Sequence, residues 1–232
     1  MHACMFHGML ALVKRGQDTM DSDTPGRDAV RSTKLLRRRQ EERSASMRMQ
    51  LVEATIAALI ERGYARTTSV EICQRAGVTR GALLHHFDSL ADLFAVTLSH
   101  IYDRLLARSS MRGPERSGGR DLVESLWDHF SQPEYKAVIE LWLAARNEPE
   151  LGVSLSPAIL QISNLADPRF NPRLSAALGQ SADAVPLYRL ILESMIGMAL
   201  GRAVTPGGGM LGHEERVVDL LGRLAGEMLN KP

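Results

Sequence analysis

Residues Thr67–Asp92 read TTSVEICQRAGVTRGALLHHFDSLAD. Two short helical patterns flank Ala76-Gly77-Val78, where glycine supplies the left-handed backbone that a sharp turn needs. Thr68 followed by Glu71, and Ser89 followed by Asp92, have the three-residue spacing of a capping box. Thr79 is placed to cap a second helix running from Arg80 to Phe87. Ile72, Ala76, Val78, Leu83 and Phe87 are spaced to form a small core shared by both helices. Helix, tight glycine turn and short helix together spell a helix-turn-helix, a motif whose second helix enters a DNA major groove.

Upstream, Met47–Arg62 carries an apolar face at helical spacing (Leu51, Val52, Thr55, Ile56, Ala58, Leu59), and Gly63 ends it with Tyr64 packing in the joint. Downstream, Leu93, Phe94, Val96, Leu98, Ile101, Tyr102 and Leu105 extend into a fourth helix reaching about Arg108. The run from Ser109 to Gly119, with Gly113-Pro114 and Gly118-Gly119, breaks it. Further helical patterns follow at about Arg120–Phe130, Glu134–Arg146, Pro157–Leu165, Ala184–Ala203 and Glu214–Leu229. Strand alternation is absent, so the expected fold class is all-α. Residues 1 to about 40 show no sustained period and are expected to form an irregular, disordered leader.

The 232 residues are 44% hydrophobic and 24% charged, with a formal net charge of +1, ordinary values for a globular protein with room for two domains. Charge distribution is more telling than its sum. Arg31, Lys34, Arg37, Arg38, Arg39, Arg43 and Arg48 face only Glu41 and Glu42, whereas Met47–Phe94 balances five arginines against five acids. The basic run is a solvated charged segment or, given where it falls, an arm that follows the phosphate backbone. Two cysteines, Cys4 and Cys73, lack framework spacing, and the expected setting is a reducing cytoplasm. His2, Cys4 and His7 lack a fourth ligand, so no metal is expected. The formal GxGxxG at Gly207, Gly209 and Gly212 follows a helix and Pro206, where a dinucleotide fold needs a preceding strand. No phosphate loop, HExxH or GxSxG is present, which argues against an enzyme, and no cofactor is expected.

Met47–Phe94 resembles the DNA-binding domain of the TetR/AcrR family of bacterial transcriptional regulators. The resemblance rests on Glu61-Arg62-Gly63-Tyr64, Thr67-Thr68, Ile72, Arg75-Ala76-Gly77-Val78, Thr79-Arg80-Gly81-Ala82-Leu83 and His85-His86-Phe87. It implies a three-helix helix-turn-helix domain over residues 44–94, joined to a helical ligand-binding and dimerisation domain over 95–232, with 1–43 as leader and basic arm. Expected DNA-contacting residues are Thr67, Thr68, Thr79, Arg80, Gly81, Ala82, Leu84, His85 and Arg48. Arg80 has the fork that reads guanine, and the small first-turn residues let a base edge approach. The sequence departs from the family at Leu84, where tyrosine is common, and at Leu90, where lysine is common. Both departures remove expected backbone contacts.

Trp127, Phe130, Leu141, Trp142, Met195 and Met198 are expected to wall an effector pocket, although plain core packing explains apolar faces equally well. Nearby polar candidates are His129, Tyr135, Glu140, Arg146 and Asn164. Leu187, Leu190, Ile191 and Ser194, with Val217, Leu220, Leu221 and Leu224, are the expected faces of a two-fold dimer. The implied function is a homodimeric repressor released from a palindromic operator on double-stranded DNA by a small, largely apolar effector. The alternative is a dimeric DNA-binding regulator, acting as repressor or activator, that has no small-molecule ligand and is governed by a protein partner. A filled core around Trp127 and Trp142 would favour the alternative.

Overall fold

The computed structural model describes residues 25–110, 118–179, 181–205 and 212–229. Cys4 and the His2/His7 group, most of the Ser109–Gly119 break, and Gly207 and Gly209 lie outside these residues. Ten α-helices and one 3-10 turn occur among the described residues, with no strand. The helices are α1 (Pro25–Arg62), α2 (Ser69–Ala76), α3 (Arg80–His86), α4 (Leu90–Ser110) and α5 (Gly119–Phe130), followed by α6 (Glu134–Asn147), α7 (Pro149–Leu165), α8 (Pro172–Leu178), α9 (Ala184–Val204) and α10 (Glu214–Leu229). The 3-10 turn spans Tyr64–Arg66.

Two boundaries differ from expectation. The leader was expected to be irregular through about residue 40, but α1 begins at Pro25, where proline fits a helix start. Within it Arg37 pairs with Glu41 at 2.9 Å and Arg38 with Glu42 at 3.0 Å, the i,i+4 spacing that supports an exposed helix. Helix α7 starts at Pro149, eight residues before the expected Pro157, which lies inside the helix. Proline there cannot donate to the Val153 carbonyl. The Ser156 hydroxyl donates to that same carbonyl at 2.8 Å, so the acceptor freed by Pro157 is satisfied locally. The short α8 was not anticipated; Asn171 caps it, accepting from the Leu174 amide at 3.2 Å, with Pro172 in its first turn.

From Ser44 onward the chain forms one compact unit. Leu51, Ile56, Leu59, Ile72, Leu83, Phe87, Leu93 and Phe94 are buried together and hold α1 to α4 as a bundle. Helix α4 continues this core through Leu98, Ile101, Tyr102 and Leu105 into Val138, Leu141, Leu155 and Ile191. Helices α5 and α10 cross closely: a Cβ on Gly119 would fall 2.1 Å from the Ala225 carbonyl oxygen, so only glycine fits. Arg120 bridges the same pair to Asp219 at 2.9 Å. Helix α9 has the length and hydropathy of a membrane span. Its Leu187, Tyr188, Ile191, Leu192 and Met195 are nevertheless buried in the protomer core, and its Arg189 reaches Asp167 at 3.3 Å.

Candidate nucleic-acid interface

The N-cap bonds expected in Thr67–Asp92 form, but the reciprocal half of the Thr68/Glu71 capping box does not: the Thr68 amide donates to the Arg66 carbonyl, and the Glu71 carboxylate is taken by Arg62 and Arg75. Thr68 accepts from the Glu71 amide at 3.3 Å, Thr79 from the Ala82 amide at 3.2 Å and Ser89 from the Asp92 amide at 3.0 Å. Gly77 takes φ 65°, the left-handed cap of α2, and its N–H reaches back to Cys73 and Gln74 carbonyls. Ile72, Leu83 and Phe87 are buried and Ala76 and Val78 are partly so, which fixes the angle between α2 and α3.

Packing of Leu83 and Phe87 turns a defined face of α3 outward. Thr79, Arg80, Gly81, Leu84 and His85 are exposed and Ala82 is half-buried. Leu84 is 56% exposed, a large apolar side chain with no core role. Arg80 has no side-chain partner among the described residues, so its guanidinium is available to an outside acceptor. His85 stands against His86 edge to face, ring centroids 5.2 Å apart. Five of the nine expected contact residues therefore share one exposed strip, with Ala82 beside them and Thr68 exposed at the start of α2.

Two of the nine are placed differently. Thr67 is 3% exposed and its hydroxyl donates to the Gly63 carbonyl at 2.8 Å, so it locks the turn and offers no hydroxyl outward. Its amide is also used, donating to the Tyr64 carbonyl at 2.9 Å. Arg48 is half-buried: its guanidinium donates to the His86 carbonyl at 2.6 Å and lies 4.2 Å from the Phe87 ring centroid. A cation at the C-terminal end of α3 satisfies an otherwise orphaned carbonyl and complements the helix dipole. Arg48 thus positions the exposed helix from behind.

Charge within the domain is largely committed. Arg75 pairs with Glu71 at 2.6 Å and Glu61 at 2.7 Å, and Arg62 pairs with Glu71 at 3.0 Å. The Arg75 hydrogen bond holds the Glu61 carboxyl below the usual carboxylate range. Cys73 is buried, and burial pushes its thiol up against a smaller lowering by Arg80; a raised thiol makes a poor nucleophile.

The domain is tied to the helices behind it at the 3-10 turn. The Tyr64 amide donates to Glu140 Oε2 at 2.7 Å, and the Tyr64 hydroxyl donates to Glu148 Oε2 at 2.6 Å. Gly63, at φ 72° and ψ 173°, brings the backbone under the Glu140 carboxylate, and a Cβ there would fall 3.0 Å from Oε2. Glu140, expected as a pocket group, is instead the acceptor of this joint.

The expected pocket wall is mostly closed core. Leu141 and Met195 are fully buried, Met198 is 8% exposed, and Trp142 donates its indole N–H to the Tyr102 hydroxyl at 3.0 Å. A cavity of about 720 Å³ opens alongside, between the end of α1 (Ile60, Glu61), the α5–α6 turn and the end of α9. Of the six expected wall residues it is lined by Phe130 alone; of the five polar candidates, by Tyr135 alone. The Tyr135 hydroxyl is buried with no hydrogen-bond partner among the described residues. His129 packs against Phe130 and Tyr135, ring centroids 5.0 and 6.1 Å away, and burial lowers its pKa to about 4. Asn164 lines a separate groove with Phe170 and Asn171.

The expected dimer faces divide in the same way. Leu187, Ile191 and Leu221 turn into the protomer core, whereas Leu190 and Leu220 are about half exposed (55% and 49%). Ser194 is half-buried and donates to the Leu190 carbonyl, and Val217 and Leu224 are half-buried. Val185, Leu200 and Val204, not singled out from the sequence, are also exposed on α9.

A family model described as "Bacterial regulatory proteins, tetR family" matches residues 51–97. An uncharacterised HTH-type transcriptional regulator of Mycobacterium tuberculosis is 31% identical over 130 residues, 54% of this chain and 67% of that protein. HTH-type transcriptional regulator CymR of Pseudomonas putida is 26% identical over 168 residues, 71% of this chain and 83% of that protein. Among solved structures, a transcriptional regulator from Rhodococcus sp. Rha1 superposes with a TM-score of 0.61 at 24% identity, covering 80% of this chain and 98% of that one. FadR from Bacillus subtilis, in complex with stearoyl-CoA, superposes at 0.58 with 18% identity, covering 75% and 96%.

Proposed function

This chain belongs to the TetR family of DNA-binding transcriptional regulators, a non-enzymatic family, and from that premise we propose that it works as a homodimeric repressor, released from a palindromic operator by a small effector. The observation that carries the reading is the exposed face of α3. Thr79, Arg80, Gly81, Leu84 and His85 point outward while Leu83, Phe87 and the Arg48 cap hold the helix from behind. In this role Arg80 reads a base edge or grips a phosphate, and Leu84 fits a thymine methyl, since apolar contact with that group is one way a major groove is read. Thr68, Gly81, Ala82 and His85 complete the contact surface. The basic run before Ser44 adds phosphate attraction, which raises affinity and salt dependence more than specificity. Work on the chromosome places the protein in the cytoplasm.

Dimerisation is supported by the exposed apolar row Leu190, Leu200 and Val204 on α9 with Leu220 on α10. A two-fold pair sets two recognition helices about one helical turn of DNA, roughly 34 Å, apart. An effector that binds best to a conformation with wrongly spaced helices lowers DNA affinity by linkage. The Tyr64–Glu140 joint is a physical route for that coupling, and FadR of Bacillus subtilis, which superposes on this chain, is in complex with stearoyl-CoA.

The test is selection of the bound DNA sequence by purified protein, then footprinting, then a screen for small molecules that release it. Arg80→Ala is expected to lose about 1–3 kcal/mol of discrimination at one base position per half-site. Unchanged selection by this variant would remove Arg80 from readout. Removing residues 1–43 is expected to flatten the dependence of affinity on salt; an unchanged slope would take the arm out of the mechanism. A second reading, a regulator or activator governed by a protein partner without a small effector, is favoured by the closed packing of Leu141 and Met195. It predicts that no small molecule releases the DNA.

A further inference from the structure

The cavity at the α5–α6 turn has an unusual electrostatic wall. Arg202 and Lys136 both line it, and neither has a carboxylate partner among the described residues. Arg202 is half-buried and held in place: it donates to the Ser131 carbonyl at 3.2 Å and its guanidinium carbon lies 5.7 Å from the Trp127 ring centroid. One carbonyl bond leaves most of its five N–H donors unused. The one acid on the wall, Glu61, is engaged by Arg75 at 2.7 Å. Ile60, Phe130, Tyr135, Ala199 and Ala203 give the rest of the wall an apolar and aromatic part, beside the neutral polar groups Ser131, Gln132 and Thr205. A half-buried guanidinium without a counter-ion is costly to keep unless something neutralises it.

We propose that this cleft is the effector site and that it selects an amphipathic organic anion, a carboxylate or sulfonate on an apolar or aromatic body. The anionic group meets Arg202 and Lys136 while the body lies on Phe130, Ile60 and the α9 alanines. The inference rests on the effector-released reading above and narrows it from "small and largely apolar" to "anionic at one end". The position also supplies a mechanism. Ile60 and Glu61 belong to the last turn of α1, four residues or fewer from Tyr64 and its bond to Glu140, so an occupant touches the DNA-binding domain and the helices behind it at once. Glu61, on the same wall, is the acid that steadies Arg75 of α2.

The test uses 1-anilinonaphthalene-8-sulfonate and its uncharged counterpart N-phenyl-1-naphthylamine, two fluorescent probes with the same ring system, titrated into the full-length protein. The sulfonate is expected to bind the wild type more tightly than the amine. Arg202→Gln is expected to weaken sulfonate binding about tenfold or more, the scale of one lost charge-assisted hydrogen bond. Lys136→Gln weakens it less, Arg202→Lys largely restores it, and the amine binds all four proteins equally. Circular dichroism checks that each variant is folded; if Arg202→Gln is not, Lys136→Gln and Arg202→Lys carry the comparison. Equal binding of the two probes to wild type, sulfonate binding unmoved by every substitution, or no binding of either probe would overturn the proposal. Operator release is measured in parallel. Charge-dependent binding without release leaves the site standing and sinks the effector-released reading, whereas release that survives Arg202→Gln places the effector elsewhere.

Discussion

Replacing Gly63 by alanine perturbs the joint between the DNA-binding domain and α6 in two separable ways. At φ 72° and ψ 173° the residue occupies a region essentially reserved for glycine, and a side chain there costs about 1–3 kcal/mol. The added Cβ also falls 3.0 Å from Glu140 Oε2, the oxygen that accepts the Tyr64 amide at 2.7 Å. If the carboxylate is pushed aside, a charge-assisted hydrogen bond of about 1.5–3 kcal/mol goes with it. Gly63→Ala is therefore expected to destabilise by about 2.5–6 kcal/mol in all. Glu140→Ala removes the bond alone, about 1.5–3 kcal/mol. In the double variant there is no carboxylate left to displace, so its cost stays near that of Gly63→Ala. The measurement is urea unfolding of the four proteins at one protein concentration, because an oligomer's stability depends on it. A coupling of about 1.5–3 kcal/mol is expected, whereas independent sites add within about 0.5 kcal/mol. Additive losses would mean that Gly63 serves the turn alone and that Glu140 is not the element it was shaped to approach.

Arg48→Met should leave the exposed strip of α3 chemically intact yet loosen it, with a loss of about 1.5–3 kcal/mol and faster amide exchange over Leu83–Phe87; unchanged exchange there would refute the capping role. His129 is half-buried, and that burial lowers its pKa to about 4 against about 6.5 when unfolded, so the unfolded chain binds the proton more readily. Stability attributable to it should fall as pH drops from about 6.5 towards 4, by on the order of 3 kcal/mol, and His129→Phe should flatten that part of the profile; a profile unmoved by the substitution would refute this. Asp167 behaves oppositely in origin. Hydrogen bonds from Arg169, with Arg189 adding to them, hold its carboxyl at about 2, so its contribution is complete above about pH 4 and fades as pH falls towards 2. The difference in urea midpoint between wild type and Asp167→Asn should shrink over that same interval, and a constant difference would contradict the assignment.

The helix-turn-helix was legible because its determinants are local. Caps sit three residues from the amides they serve, Gly77 marks its own turn, and apolar spacing names Ile72, Leu83 and Phe87 as core. The outward strip of α3 then follows from geometry. Legibility failed where a partner is distant in sequence. Arg48 reads as a surface cation until His86, 38 residues away, is brought against it, and Glu140 meets Tyr64 across 76 residues. Thr67 was misplaced for a different reason: a hydroxyl at a helix start looks outward by pattern, but the Gly63 carbonyl four residues back claimed it. Pro157 reads as punctuation because the signal is the missing donor, while the remedy, the Ser156 hydroxyl on Val153, is not a pattern one searches for. The apolar stripes of α5, α6 and α9 could not separate cavity wall from core, since both use the same residue types. Arg202, the cation that distinguishes the cleft, lies near the end of a mostly apolar helix, where no local pattern marks it.

The pairing of arginines within the DNA-binding domain bears on how such a protein finds its site. Arg62 and Arg75 are held by Glu61 and Glu71, Arg48 by the His86 carbonyl and Arg66 by the Arg62 carbonyl at 3.2 Å, which leaves Arg80 as the cation of Met47–Phe94 least committed inside the molecule. Each phosphate neutralised on duplex DNA adds about 0.9 to the salt slope of binding, so a domain offering so few counter-charges holds random sequence weakly. Weak trapping shortens the time spent on wrong addresses and shifts the balance of the search from sliding towards dissociation and re-encounter. Under the proposed contacts, the basic segment before Ser44 would set that balance: its length and charge would tune how far the protein travels along a chromosome between landings, while the five-residue strip on α3 would decide where it stops.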